Sequence, residues 1–368
     1  MVPGLGRPLI VAKGDTLTRL EPDYINAQVP EPHRTRRRQI LASHPEVQAL
    51  AGPARYSVLF IVGLVIFQLG VAVAVRHSPW WLLLIVAYLV GAVANHALLV
   101  LIHECTHNLV WKGTRGNRIL AILANVPILF PAAMSFRTYH LLHHKYQGDL
   151  DYDADLPGPT EARVVGNSSL RKTIWLLFFF AVEGIVRPFR LKKKVRVFDG
   201  WSITNTLVMV AVGVGVYFLA GWTGLLYLAL SSIFGVGLHP VGARWIQEHF
   251  VMRVGQETYS YYGPWNKLAF NVGYHNEHHD LMTVPWSRLP QIRSIAPEFY
   301  DDLYAHRSWT RLLLRFLFDR KLTLHSRVVR STAEVQGERA KDEPSPATPS
   351  VVGDPLSGPA AAMASTAD

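Results

Sequence analysis

The sequence predicts an all-α integral membrane fold: four transmembrane helices in two hairpins, with a cytosolic helical cap holding a histidine-rich two-metal site. Three observations predict it. Four long uncharged apolar runs fall in two closely linked pairs, and basic residues crowd one end of each pair. Three histidine clusters lie toward that same end. The chain has 368 residues, 49% of them hydrophobic, and length alone would allow two or three soluble domains. The concentration of apolar residues into runs argues against that.

Residues 1–54 read as a cytosolic N-terminal segment with one amphipathic helix near Pro32 to Leu50. Val2 excludes the N-myristoylation pattern. Residues 55–102 form the first hairpin, built from Tyr56 to Val75 and Pro79 to Ile102. Each run is long enough to cross a hydrocarbon core of ~30 Å. The first starts too far along the chain for a signal peptide, and no cleavage pattern precedes it. Residues 103–198 form a cytosolic segment with two apolar patches. Ile119 to Phe130 is broken by Pro127 and Pro131, and Thr173 to Ile185 contains Glu183, so both are expected to lie along the membrane surface. Residues 199–238 form the second hairpin, Trp201 to Ala220 and Trp222 to Leu238 turning at Gly221. Residues 239–330 are a second cytosolic segment. Residues 331–368, rich in Pro, Ser, Ala and Gly, read as a disordered tail.

Arg34, Arg36, Arg37 and Arg38 precede the first hairpin, and Lys192, Lys193, Lys194 and Arg196 precede the second. The far side shows only Arg76. The positive-inside rule therefore places the termini and all three clusters in the cytosol. The net charge of +10 fits contact with anionic membrane lipid or docking of an acidic redox partner. No nucleic-acid-binding motif accompanies it. Cys105, the only cysteine, excludes an internal disulfide and reads as a small buried filler.

The clusters are His103-Glu104-Cys105-Thr106-His107, His140-Leu141-Leu142-His143-His144 and His275-Asn276-Glu277-His278-His279. Residues three or four apart share a helix face, so each cluster aims its imidazoles one way. Eight imidazoles exceed what one structural zinc takes. Two ions are the natural reading, and imidazole suits iron, copper, nickel and zinc. His249 is the best candidate for a ninth ligand and His239 a weaker one. His96, inside the second apolar run, shares a face with His103, and a polar group there suggests a role. His33, His44, His77, His306 and His325 lack such context and read as ordinary. Glu104, Glu277 and Asp280 are expected to accept the distal N–H of ligating imidazoles, and Asn271 to reach the site through water. Asp149, Asp151, Asp153 and Asp155 alternate like a calcium loop, but Ala154 stands where Gly is required.

With these residues placed, the chain resembles the membrane fatty-acid desaturase and hydroxylase superfamily, and within it the sphingolipid Δ4-desaturases. The resemblance runs from about Asp23 to Arg330. It is densest in Glu257 to Pro264 (Glu-Thr-Tyr-Ser-Tyr-Tyr-Gly-Pro) and Phe270 to Tyr274, with Gly237-Leu238-His239-Pro240 also matching. It implies two iron ions, held by His103, His107, His140, His143, His144, His275, His278 and His279, with His249 added. It implies dihydroceramide as substrate, dioxygen as oxidant, and a separate cytochrome b5-like or ferredoxin-like electron donor, since no His-Pro-Gly-Gly haem element occurs. Tyr259, Tyr261, Tyr262 and His96 are the substrate-binding candidates; Glu104, Glu277 and Asn271 are the supporting catalytic ones. Two departures stand out: Cys105 and Thr106 lie between the ligands of the first box, and Trp245 stands four residues before His249, where some desaturases carry Asn.

The expected activity is O2-dependent desaturation at C4–C5 of the sphingoid base. The alternatives are a C4-hydroxylase of the same lipid and a desaturase of another acyl lipid. The compartment is the endoplasmic reticulum in a eukaryote and the inner membrane in a bacterium. From a different class, His103-Glu104-x-x-His107 also fits the H-E-x-x-H zinc-protease signature, with Glu104 as general base. That reading leaves the other two clusters unexplained. A non-catalytic metal-binding membrane protein is the remaining option.

Overall fold

The computed structural model describes residues 24–27, 29–191, 195 and 198–342. The first part of the N-terminal segment, the basic residues Lys192, Lys193, Lys194 and Arg196, and the tail beyond residue 342 lie outside the described residues. The chain enters through β1 (Ile25–Asn26), which pairs in parallel with β2 (Val328–Val329), Ile25 opposite Val328. This short ladder departs from the all-helical expectation, and it ties the N-terminal segment to the end of the cap.

α1 (Pro32–Ser43) begins with proline at its first position, where a missing N–H costs nothing. The Glu31 carboxylate caps it, accepting from His33 N at 2.8 Å and Arg34 N at 3.3 Å. α2 (Ser57–Ala74) and α3 (Trp80–Thr106) follow, the latter with a π-helical turn at Ala87–Gly91. α4 (Thr114–Asn125) leads into α5 (Ala133–Tyr146) through Pro127 and Pro131, and the chain bends by 116° there. α6 (Ser169–Leu177) precedes the long α7 (Gly200–Val236), which opens on an Asp199–Ser202 capping box. Inside α7 the backbone leaves helical geometry at Gly221, with φ 62° and ψ −166°, a conformation that favours glycine. α8 (Arg244–His249) ends the last apolar stretch, and α9 (His275–Asp280) and α10 (Trp309–Phe318) follow it in the part of the chain called the cap.

One more helix, α11 (Thr332–Asp342), occupies the start of the stretch expected to be disordered. Composition misleads there because the helix is capped locally: Ser331 N donates to Glu334 Oε2 at 2.7 Å, and Glu334 N to Ser331 Oγ at 3.2 Å.

Among the described residues, Ser57–Ala74, Trp80–Thr106 and Gly200–His249 are long and apolar enough to cross a membrane. The bent pair Thr114–Ile128 and Ala133–Tyr146 would make a fourth span. Leu59, Ile66, Trp80, Leu207, Phe218 and Trp222 stand exposed along these helices, which suits hydrocarbon and not water. Between α3 and α7 the backbones nearly touch: a Cβ on Gly235 would lie 2.8 Å from Ala92 O. A buried polar network adds to the packing. Gln68 donates to Asn95 Oδ1 at 2.5 Å, Asn95 to Ser232 Oγ at 2.9 Å, and Tyr227 to Gln68 Oε1 at 2.6 Å. The main core then joins the stem to the cap, with Ile102, Ile128, Trp175, Ile246, Trp309 and Phe316 in one cluster. Lys172 of α6 is buried in that seam. Its Nζ donates to the carbonyls of Phe316, Asp319 and Leu322 at 2.8, 2.8 and 2.5 Å, satisfying the free end of α10.

Candidate metal centre

Nine imidazoles converge where the ends of the stem meet the cap. The last turn of α3 supplies His103 and His107, and α5 supplies His140, His143 and His144. His249 ends α8, and α9 supplies His275, His278 and His279. They sort into two groups. His103, His107, His140, His144 and His278 offer nitrogens all within 4.8 Å of one another, and His143, His249 and His279 do the same separately. His275 joins the second group, its Nε2 lying 3.0 Å from His249 Nε2. The H-x-x-H-H spacing explains the division. In α5 the i and i+4 residues face one group and the i+3 residue the other; in α9 the division is reversed. Two helical turns therefore each contribute to both groups.

The donor set fits metal and does not fit a protein-only hydrogen-bond network. Nε2 faces Nε2 from His103 to His278 at 3.0 Å, His278 to His144 at 3.1 Å, His144 to His140 at 3.0 Å, and His140 to His107 at 2.9 Å. The three middle rings each meet two others, yet a neutral imidazole nitrogen has one proton or one lone pair to offer. Among the described residues, His279 Nε2 is buried without a hydrogen-bond partner. Cations placed between converging lone pairs resolve both problems. Burial, and then neighbouring imidazoles, hold His275, His278 and His279 well below the ordinary histidine range, so these rings are neutral and ligand-competent.

A second layer orients the rings. Asp153 Oδ1 lies 2.9 Å from His143 Nδ1, Glu248 Oε1 lies 3.5 Å from His275 Nδ1, and Thr258 Oγ1 lies 3.3 Å from His249 Nδ1. His33 of α1 contacts the same Thr258 hydroxyl through Nε2 at 2.9 Å, and its ring packs on His279 at 4.8 Å between centroids. Asp280 anchors His33 Nδ1 at 2.7 Å and accepts from Arg36 and Tyr300. Burial opposes its ionisation, but the Arg36 guanidinium holds the carboxyl below the usual range.

Several expectations change at this point. His33, read as ordinary, sits against the site, and Asp153, set aside with the calcium-like run, orients a cluster histidine. Of the expected carboxylates, Glu104 lies 3.5 Å from His103 Nδ1 and accepts from Trp286 N at 2.9 Å. Glu277 turns away: it accepts from Ser260 Oγ at 2.7 Å and Tyr262 Oη at 2.6 Å, and burial raises it to about 7. Asp280 serves His33 instead of a cluster ring. Asn271 has φ 51° and donates to Trp286 O at 3.0 Å, which makes it a turn residue. The three tyrosines expected to meet substrate have partners within the protein. Tyr259 Oη bonds the Met252–Gln256 turn, Tyr261 stacks on Trp309 at 4.3 Å, and Tyr262 serves Glu277. His96 Nδ1 donates to Gly235 O at 2.8 Å, locking α3 to α7. His239 accepts from Val241 N at 3.2 Å and stays outside both groups. Cys105 is buried and outside them too.

Comparison with known proteins agrees with this arrangement. A family model described as fatty acid desaturase matches residues 79–311, and one described as sphingolipid Delta4-desaturase matches residues 21–55. The chain is 41% identical over 311 residues to the sphingolipid delta(4)-desaturase DES1-like protein of Oryza sativa subsp. japonica, covering 84% of this chain and 93% of that one. It is 39% identical over 322 residues to sphingolipid delta(4)-desaturase DES1 of Drosophila melanogaster, covering 86% and 98%. It is 38% identical over 323 residues to sphingolipid delta(4)-desaturase/C4-monooxygenase DES2 of Rattus norvegicus, covering 86% and 97%. The matched segment 21–55 contains α1 and its His33, and the matched segment 79–311 contains all nine converging histidines. The chain is thus an oxidoreductase that belongs to the fatty acid desaturase family, in its sphingolipid Δ4-desaturase branch.

Proposed function

We propose that this protein is a membrane-embedded di-iron desaturase that introduces the C4–C5 double bond of the sphingoid base, converting dihydroceramide to ceramide. The observation that carries the proposal is the convergence of nine imidazoles in two groups, in a chain with curated sphingolipid desaturase relatives over most of its length. In this reading His103, His107, His140, His144 and His278 hold one iron, and His143, His249, His275 and His279 hold the other. Bound there and supplied with dioxygen and electrons, iron provides the hydrogen removal from an unactivated methylene that no side-chain acid or base achieves. Asp153, Glu248 and Thr258 fix the ring orientations, and the neutral rings add no anionic charge. The protein's remaining task is to hold the chosen C–H bonds toward the histidine groups.

The zinc-protease reading fits poorly. A catalytic zinc takes three protein ligands and leaves one position open, whereas three further imidazoles, His140, His144 and His278, crowd His103 and His107. Glu104, its would-be base, is committed to Trp286 N. C4-hydroxylation of the same lipid is favoured as a second outcome by the relative named for both activities.

For topology we propose two hairpins, 55–102 and 199–238, with both termini and the cap (103–198 and 239–330) in the cytosol. Ala72, Val75, Leu83 and Ala87 pack with Val216, Ala220, Tyr227 and Leu228 in one cluster, which supports turns near Ser78 and Gly221 at the same end of the stem. Electrons then come from a cytosolic-face cytochrome b5-like or ferredoxin-like carrier. The test is lipid mass spectrometry on cells that express the chain and an electron donor and are fed dihydroceramide. A product two hydrogens lighter, unsaturated at C4 and absent with His275→Ala, is expected. A product one oxygen heavier makes the protein a hydroxylase, and no new product overturns the assignment.

A further inference from the structure

A sphingoid C4–C5 bond lies beside the carbon that bears the 3-hydroxyl, with the amide one carbon further. An enzyme oxidising that bond needs polar groups in the cavity next to its metals, where one working in mid-chain needs apolar walls. Tyr259 and Tyr261 cannot supply them, being fully buried in structural roles. A cleft does open against both imidazole groups: His140 of one and His143 and His275 of the other line it, facing Tyr139 and Trp245. The Tyr139 hydroxyl and the Trp245 indole N–H are both buried and lack a hydrogen-bond partner among the described residues. Tyr139 is 8% exposed. Buried polar groups are nearly always paired, so two orphans in one cleft mark a place for a polar ligand.

The helix geometry sets this up. Phe136, Tyr139, His140 and His143 stand at i, i+3, i+4 and i+7 of α5 and share one face, so the Tyr139 hydroxyl is carried on the same surface as the cluster rings. Trp245 comes from α8, four residues before His249. Its ring is held by the Arg244 guanidinium at 4.0 Å, which Glu248 fixes at 2.7 Å, and by Phe179 at 5.7 Å. Phe136 stacks on His140 at 5.1 Å and gives the cleft an apolar wall.

We propose that this cleft binds the polar head of an N-acyl amino-diol lipid: Trp245 Nε1 donates to the amide carbonyl, and the Tyr139 hydroxyl pairs with the 3-hydroxyl. This holds the carbons next to the head against the two histidine groups and so selects the bond. The inference rests on the desaturase reading above.

The experiment uses the full-length, metal-loaded protein in lipid nanodiscs with a reductant in excess. Wild type, Tyr139→Phe and Trp245→Phe are compared on short-chain dihydroceramide and on its 3-deoxy analogue, with metal content measured alongside. Each variant is expected to raise the KM for dihydroceramide roughly tenfold, as the loss of one buried hydrogen bond does, while metal content holds. Tyr139→Phe and wild type are expected to have the same KM for the 3-deoxy analogue, because the partner hydroxyl is gone. A wild type active on dihydroceramide whose variants keep its KM overturns the cleft assignment alone. So does an equal loss on both lipids by Tyr139→Phe, or loss of metal in both variants, which sit on different helices. A wild type that acts on plain acyl lipids and not on dihydroceramide overturns the desaturase reading, and this inference with it.

Discussion

His278 shows how much one side chain carries. Its Nε2 lies within 3.1 Å of rings from two other helices, α3 and α5. We predict that His278→Ala abolishes product and removes metal from the five-imidazole group, checked by elemental analysis of the purified variant. His33 acts at one remove, through Thr258 and through its contact with His279. His33→Ala is expected to weaken metal retention by about 10- to 100-fold, read from a chelator titration; retention equal to wild type would show that α1 does not support the site. The box histidines were legible because helical spacing is local. His33 was not, because its partners Thr258 and Asp280 lie 225 and 247 residues away. Asp153 stands only ten residues from His143, but alternating aspartates carry several meanings and only the fold selects one. In the Tyr-rich run, dense resemblance marked rings that have partners within the protein: Tyr259 bonds the Met252–Gln256 turn, Tyr261 stacks on Trp309, and Tyr262 donates to Glu277.

At the level of elements, the apolar runs and their breaks were readable from composition, since a membrane span needs continuous apolar length. The Gly221 break and the proline bend before α5 follow from residues with restricted or unusual backbone freedom. The β1–β2 pair was invisible, because two residues per strand carry no periodicity, and α11 was masked by the Pro- and Ser-rich sequence beyond it. Close packing of α3 on α7 makes Gly235→Leu a sharp probe: its Cβ would meet Ala92 O at 2.8 Å. A loss of about 1–3 kcal/mol is expected, seen as a lower unfolding midpoint in detergent. Lys172→Met leaves three buried carbonyls without their donor. It is expected to cost about 1–3 kcal/mol while leaving metal content near wild type, because α6 bears none of the nine histidines.

At the scale of the whole molecule, the nine imidazoles lie at one end of the apolar helices because α3 carries the chain from its apolar run directly into the first histidine box. Two-hairpin topology makes a direct prediction. The native Cys105 is buried, so Ser78→Cys introduces one accessible thiol at the loop between α2 and α3. An impermeant thiol reagent is expected to label it from the non-cytosolic face alone; labelling from the cytosolic face would invert the orientation.

The central claim is that nine imidazoles form one two-iron centre, and metal analysis of the purified full-length protein tests it most directly. The account predicts iron approaching two ions per chain, falling together with activity in His278→Ala. A single zinc per chain, or full activity in metal-free protein, would contradict it.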